Sequence, residues 1–282
     1  MADAKIVRRL KEQAYEMRCN IAKLANRADI HIGGDLSMAD MITAIYMYKM
    51  RKEPQNVKWE GRDRFLLSKG HAAACLYIAM AMAGYDDLEE IFETYGKYGS
   101  RYGAHPCKVQ NPALEMSSGS LGHGLPLSVG LALAAKLKGE KHYVFTMMGD
   151  AECAEGSVWE AALAASNFKL GNLVAFVDRN KMSLSAPTET SENGMKMEPF
   201  ADKWKAFGWN TIVIDGHNME EIVDALDSLP TEDSDIPTVI IGNTVKGKGV
   251  DFIEDRVNWH NGMFNDEQLK EALESIKNSR GY

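Results

Sequence analysis

Apolar positions at Ile6, Leu10, Tyr15, Ile21 and Leu24 recur at roughly helical spacing and predict an amphipathic helix at the start of the chain. Ser37 stands where an N-cap belongs, ahead of a helix expected over Met38–Met50. Ser68-Lys69-Gly70-His71 is expected to open an apolar helix running to Ala83, with Gly84 at the C-cap position. Residues 99–120 are rich in Gly, Ser and Pro and predict a long loop, and a loop of that length inside a compact domain is usually functional or disordered. An Ala-rich helix near Gly124–Leu137 follows.

Beyond that point the pattern alternates. Continuous apolar runs at His142–Met148, Asn172–Asp178, Asn210–Ile214 and Pro237–Gly242 predict strands, and the segments Glu155–Lys169, Phe200–Phe207, Met219–Leu229 and Asn265–Asn278 predict helices. Uninterrupted apolar strands alternating with helices imply a parallel sheet covered on both faces, so the fold class is α/β with three α/β/α layers and a mainly parallel sheet. No internal repeat, low-complexity segment or linker divides the chain, and residues 1–282 are expected to form one domain.

Composition narrows the function. The net charge of -8 lacks the basic footprint of a nucleic-acid binder, and no apolar run is long enough for a membrane span. The N-terminus is charged, without the apolar core of a signal peptide, and Cys19, Cys75, Cys107 and Cys153 form no C-x-x-C pair. Both features point to reduced thiols and a cytoplasmic protein.

Ligands of parallel sheets bind beyond the carboxyl ends of the strands, where Asp150 and Asn180 both fall, thirty positions apart across one crossover. A carboxylate beside an amide oxygen suits a hard cation such as Mg²⁺ that leaves positions for phosphate oxygens. Amides near Ala151 and Glu152, at a helix start, can point at the same phosphate. On spacing alone these residues equally suit strand-to-helix turns. Gly242–Lys248 has P-loop spacing but continues into Gly249 instead of Ser or Thr, and Gly119–Gly124 runs opposite to the dinucleotide fingerprint.

The stretch Gly149-Asp150-Ala151 to Asn180 resembles the motif of thiamine-diphosphate enzymes, and its surroundings resemble the transketolase family: Glu155-Gly156, Lys169-Leu170-Gly171-Asn172-Leu173 and Asp178-Arg179-Asn180. Further similar words are His31-Ile32-Gly33-Gly34, Asp63 through Ala72, Ala104-His105-Pro106, Ser118 through Gly124, and Trp259-His260-Asn261-Gly262. The resemblance implies the thiamine-diphosphate-binding fold of the diphosphate-binding domain. It implies Mg²⁺, with Ca²⁺ or Mn²⁺ able to substitute, held by Asp150, Asn180 and the Met182 carbonyl. Cofactor-binding positions implied are His71, Gly119, Ser120, Leu121, Gly149, Asp150, Ala151, Glu152, Asn180, Met182, Lys246 and His260. Catalytic roles are implied for His31, His71, His105 and His260 toward sugar hydroxyls and diphosphate, and for Glu155, paired with Glu160 near a dimer axis. His123 is expected one layer further out. Ala151 stands where the family usually has Gly, and Asp35 departs from the family pattern and is expected near an altered pocket.

The family's activating Glu lies in a pyrimidine-binding domain that this sequence does not contain. The resemblance therefore implies one subunit of a split transketolase, an α2β2 heterotetramer with a C-terminal partner carrying that Glu. The pair would transfer a two-carbon ketol group between sugars or sugar phosphates in carbohydrate (pentose phosphate) metabolism. The competing expectations are the α subunit of a 2-oxoacid dehydrogenase, a deoxyxylulose-phosphate synthase-like enzyme, and a non-catalytic cofactor-binding partner.

Overall fold

A computed structural model describes residues 2–190 and 194–281. Among the described residues five strands form one sheet: β1 (Arg64–Leu67), β2 (Val144–Gly149), β3 (Leu173–Arg179), β4 (Asn210–Asp215) and β5 (Thr238–Asn243). Their order is β1-β2-β3-β5-β4 and every pairing is parallel. Helices are α1 (Ala4–Arg27), α2 (Ile32–Ser37), α3 (Ala39–Ala44), α4 (Ala73–Met82), α5 (Leu88–Thr94), α6 (Gly124–Lys138), α7 (Gly156–Asn167), α8 (Phe200–Ala206), α9 (Met219–Asp227) and α10 (Asp266–Asn278).

Strand alternation divides the core into two layers. Phe145, Met147, Phe176 and Ile240 face α1, α3, α4, α9 and α10, whereas Val144, Met148, Val177 and Ile241 face α6, α7 and α8. Both faces of the sheet are buried, so its central strands read as uninterrupted apolar runs, and the three-layer α/β/α architecture is the one the pattern implies. The segment between α5 and α6 contains no helix or strand, as its composition predicts.

Two local expectations are corrected and two elements are added. Ser37 ends α2 and caps nothing: its hydroxyl donates to Asp178 Oδ2 at 2.5 Å, and Met38 precedes α3. The helix expected from Ser68 starts at Ala73, because Ser68 and Lys69 spend their backbone N–H groups on the Met147 carbonyl at the end of the sheet. β1 and α5, too short to show a period, are additional elements.

Candidate diphosphate site at the carboxyl edge of the sheet

β2 and β3 run side by side, with Gly149 opposite Asp178, so the residues that follow them share one edge. Asp150 is buried there, its Oδ1 accepting Ala151 N–H at 2.9 Å and its Oδ2 accepting Lys181 N–H at 2.9 Å. Burial first, then the neighbouring Asp178 charge, pushes its carboxyl up to about 6. A cation at that edge would relieve both effects. Lys181 reaches Asp150 by adopting a left-handed φ of 58°, an uncommon conformation for a residue with a Cβ.

Asn180 is aimed by a network the sequence reading did not identify. Its Nδ2 donates to Asp178 Oδ2 at 3.1 Å and to Ser37 Oγ at 3.3 Å, and its Oδ1 accepts the Met182 N–H at 3.1 Å, with a second lone pair left for a ligand. Asp178 is fully buried and also takes Lys69 Nζ at 2.5 Å and Thr244 Oγ1 at 2.5 Å. Burial pushes the Asp178 carboxyl up, but the Lys69 ammonium and the hydrogen bonds hold it below the usual carboxylate value. The Lys69 charge is thereby paired with a buried carboxylate.

A cavity of about 350 Å³ opens over this edge and is lined by His71, His105, Gly119, Leu121, Gly149, Asp150, Ala151, Glu152, Asn180, Met182, Lys246 and His260, among others. The His31 ring lies 5.3 Å from those of His71 and His260 and 5.8 Å from that of His105. Burial, then the Lys69 charge, holds His71 well below the ordinary imidazole value, and burial with Lys246 lowers His260 to about 4. Burial, then His105, lowers His31. Neutral imidazoles each keep one N–H donor and one acceptor.

Lys246 Nζ donates to His260 Nδ1 at 2.9 Å and to the Ser183 carbonyl at 3.1 Å. An ammonium only donates, so His260 carries its proton on Nε2. Burial, then Lys69, brings Lys246 down to about 8. Unlike Lys69, Lys246 has no carboxylate in hydrogen-bonding contact among the described residues, which makes it the cation an anionic ligand would meet.

The remaining expected residues divide. Ala151 opens a 3₁₀ turn, Ala151–Ala154, and is absent from the positive-φ positions, so alanine is unstrained where glycine was expected. The Glu152 carboxylate turns inward, accepting Ser68 Oγ–H, Gly122 N–H at 2.9 Å and Gly149 N–H at 3.0 Å, and ties three loops together. Ser120 and Glu155 lie outside the cavity lining, and Glu155 and Glu160 are exposed. His123 is exposed at the start of α6. Asp35 follows Gly34 of the cavity lining and accepts Cys75 N–H at 2.9 Å near the start of α4, and burial pushes it up to about 7.

The donor set fits a metal-bound diphosphate. Among the described residues no cluster of three or more His, Cys, Asp or Glu forms a cage able to hold a metal by itself. One carboxylate and one fixed amide oxygen are what Mg²⁺ takes when phosphate oxygens complete its shell. Gly34 lines the cavity against His71 Nε2 and Lys69 Nζ, and the buried His31 Nδ1 has no hydrogen-bond partner among the described residues.

A family model described as "Transketolase, thiamine diphosphate binding domain" matches residues 16–279. The chain is 38% identical over 271 residues to an apulose-4-phosphate transketolase subunit of Phocaeicola vulgatus, covering 96% of this chain and 94% of that protein. It is also 38% identical to the 6-deoxy-6-sulfo-D-fructose transketolase subunit SqwG of a Clostridium species, covering 88% of each. Human transketolase is 33% identical across 97% of this chain, which spans 43% of that protein. The crystal structure of transketolase from Campylobacter jejuni superposes with a TM-score of 0.85 at 28% identity, over 98% of this chain and 43% of that one.

Proposed function

The chain belongs to the transketolase thiamine-diphosphate-binding family, and we propose that it is the diphosphate-binding subunit of a split transketolase. With a partner subunit it transfers a two-carbon ketol group from a ketose to an aldose, using thiamine diphosphate and Mg²⁺. The observation that carries this reading is the convergence of Asp150, Asn180 and Lys246 with His71, His105 and His260 on one cavity, beside His31.

Asp150 and Asn180 supply side-chain oxygens for Mg²⁺, with the Met182 carbonyl as the third protein ligand in this reading. Lys246 and the His71 and His260 N–H groups meet diphosphate oxygens. Gly119 and Leu121, from the loop before α6, form the wall assigned to the ring end of the cofactor. The bound cofactor supplies a carbanion-stabilising centre for breaking and making the carbon–carbon bond. His31 and His105 hold sugar hydroxyls and exchange protons with them, a role imidazole suits.

Support for a partner comes from the relatives of matching length that are named as transketolase subunits, and from the outer surface of α6 and α7. Leu127 and Leu163 are 49% and 60% exposed there, beside Glu155 and Glu160. Exposed apolar side chains on two neighbouring helices suit burial against a second chain. The partner brings the activating Glu and most of the sugar-phosphate contacts, and the assembly is α2β2. The names of two relatives, one carrying phosphate and one a sulfo group, favour sugars with an anionic end.

Asp150→Ala tests the metal site. Calorimetric titration of thiamine diphosphate in Mg²⁺ into the assembled pair should show binding for the wild type and none for the variant. Unchanged affinity would remove Asp150 from the site.

A further inference from the structure

On the far side of the Lys246 loop from the cavity, His217 bridges two elements. Its Nε2 accepts the Val245 N–H at 2.9 Å, and its Nδ1 lies 2.8 Å from Asp40 Oδ2 in α3. A backbone amide only donates, so Nε2 is the bare nitrogen and the imidazole proton sits on Nδ1, donated to Asp40. Asp40 also receives both terminal nitrogens of Arg18 from α1, at 2.9 and 2.5 Å. Arg18 then donates through Nε to the Lys248 carbonyl at 3.2 Å.

The relay thus begins and ends on the same short loop. Val245 and Lys248 are held from behind, with Lys246 and the left-handed Gly247 (φ 78°) between them. The front of the loop is fastened separately, through Gly247 N–H to the Gly33 carbonyl at 2.9 Å. Burial pushes the Asp40 carboxyl up, but Arg18 and His217 together hold it well below the carboxylate range, so the anchor stays ionised. His217 is 177 residues from Asp40 and 28 from Val245, separations in sequence that local turn formation does not require.

We propose that His217 is a positioning residue for the diphosphate cavity: with Asp40 and Arg18 it clamps the loop so that the Lys246 ammonium is delivered to the cavity beside His260. It touches no ligand and acts through Lys246. The assignment rests on the proposed function only for the identity of the anion.

Inorganic pyrophosphate is the probe, titrated calorimetrically into the full chain. His217→Leu removes both hydrogen bonds and should weaken binding about fivefold to tenfold, the effect of misplacing one charge-assisted contact. His217→Gln should restore most of the affinity, because its amide can accept from Val245 and donate to Asp40. In a Lys246→Met background, His217→Leu should have no additional effect. Wild-type affinity in His217→Leu, absence of rescue by Gln, or losses that add in the double variant would each overturn the assignment. A check that needs no variant to fold is the wild-type Val245 amide resonance, which should shift on saturation with pyrophosphate; an unmoved resonance counts against the relay. A wild-type chain that binds pyrophosphate but not thiamine diphosphate with Mg²⁺ overturns the cofactor reading and leaves the role of His217 standing. Failure to bind pyrophosphate at all overturns both.

Discussion

Asp178 and Lys69 meet with almost no solvent at either side chain, and the pair aims Asn180. Removing one member of a buried pair leaves the other charge uncompensated, so Asp178→Asn should cost about 3 kcal/mol of stability. Denaturant unfolding would measure it; a loss within about 0.5 kcal/mol, ordinary for a surface change, would mean the pair is not a support. Lys246 is coupled to pH in a direct way. Lowered to about 8, it is charged below that value and loses its charge above it. Diphosphate affinity should therefore fall as pH rises through about 8 more steeply in the wild type than in Lys246→Met, a comparison that cancels ionisation of the ligand itself. Parallel pH profiles would remove Lys246 from anion binding. Asp150 and Asn180 were legible in the sequence because strand ends are where ligands bind. Lys69–Asp178 and His217–Asp40 were not, since contacts spanning 109 and 177 residues leave no periodic trace.

Among elements, β2, β3, β4 and β5 were legible to within one or two residues, because strands of a parallel sheet carry continuous apolar runs. β1 was hidden by its four-residue length, and the segment Ser68–Ala72 read as helix although its backbone is drawn onto Met147. The same close packing gives a sharp contrast on α6. A Cβ at Gly124 would lie 2.3 Å from Ser68 Cβ, whereas nothing lies within 4 Å of one at Gly130. Gly124→Ala should destabilise by about 1–3 kcal/mol through overpacking. Gly130→Ala should stabilise by roughly 0.5–1 kcal/mol through helix propensity. Thermal unfolding of the two variants would show opposite shifts; shifts of one sign would contradict the packing described at the α6 start.

For the whole molecule, the three-layer architecture was read from strand–helix alternation, and the family from ordered motif words. What the sequence left open was which expected residues point into the cavity. Glu152 spends its carboxylate on three loops, Asp35 on α4, and Glu155 lies on the surface. Only the three-dimensional hydrogen-bond pattern separates those roles. In the proposed reading a partner chain covers the exposed leucines of α6 and α7 and completes the site. Reconstitution measures that most directly: ketol transfer from a phosphorylated ketose to an aldehyde is followed with Mg²⁺ and thiamine diphosphate, using this chain by itself, its partner by itself, and the two together. Turnover is expected only when both are present. Robust turnover by this chain without its partner would contradict it.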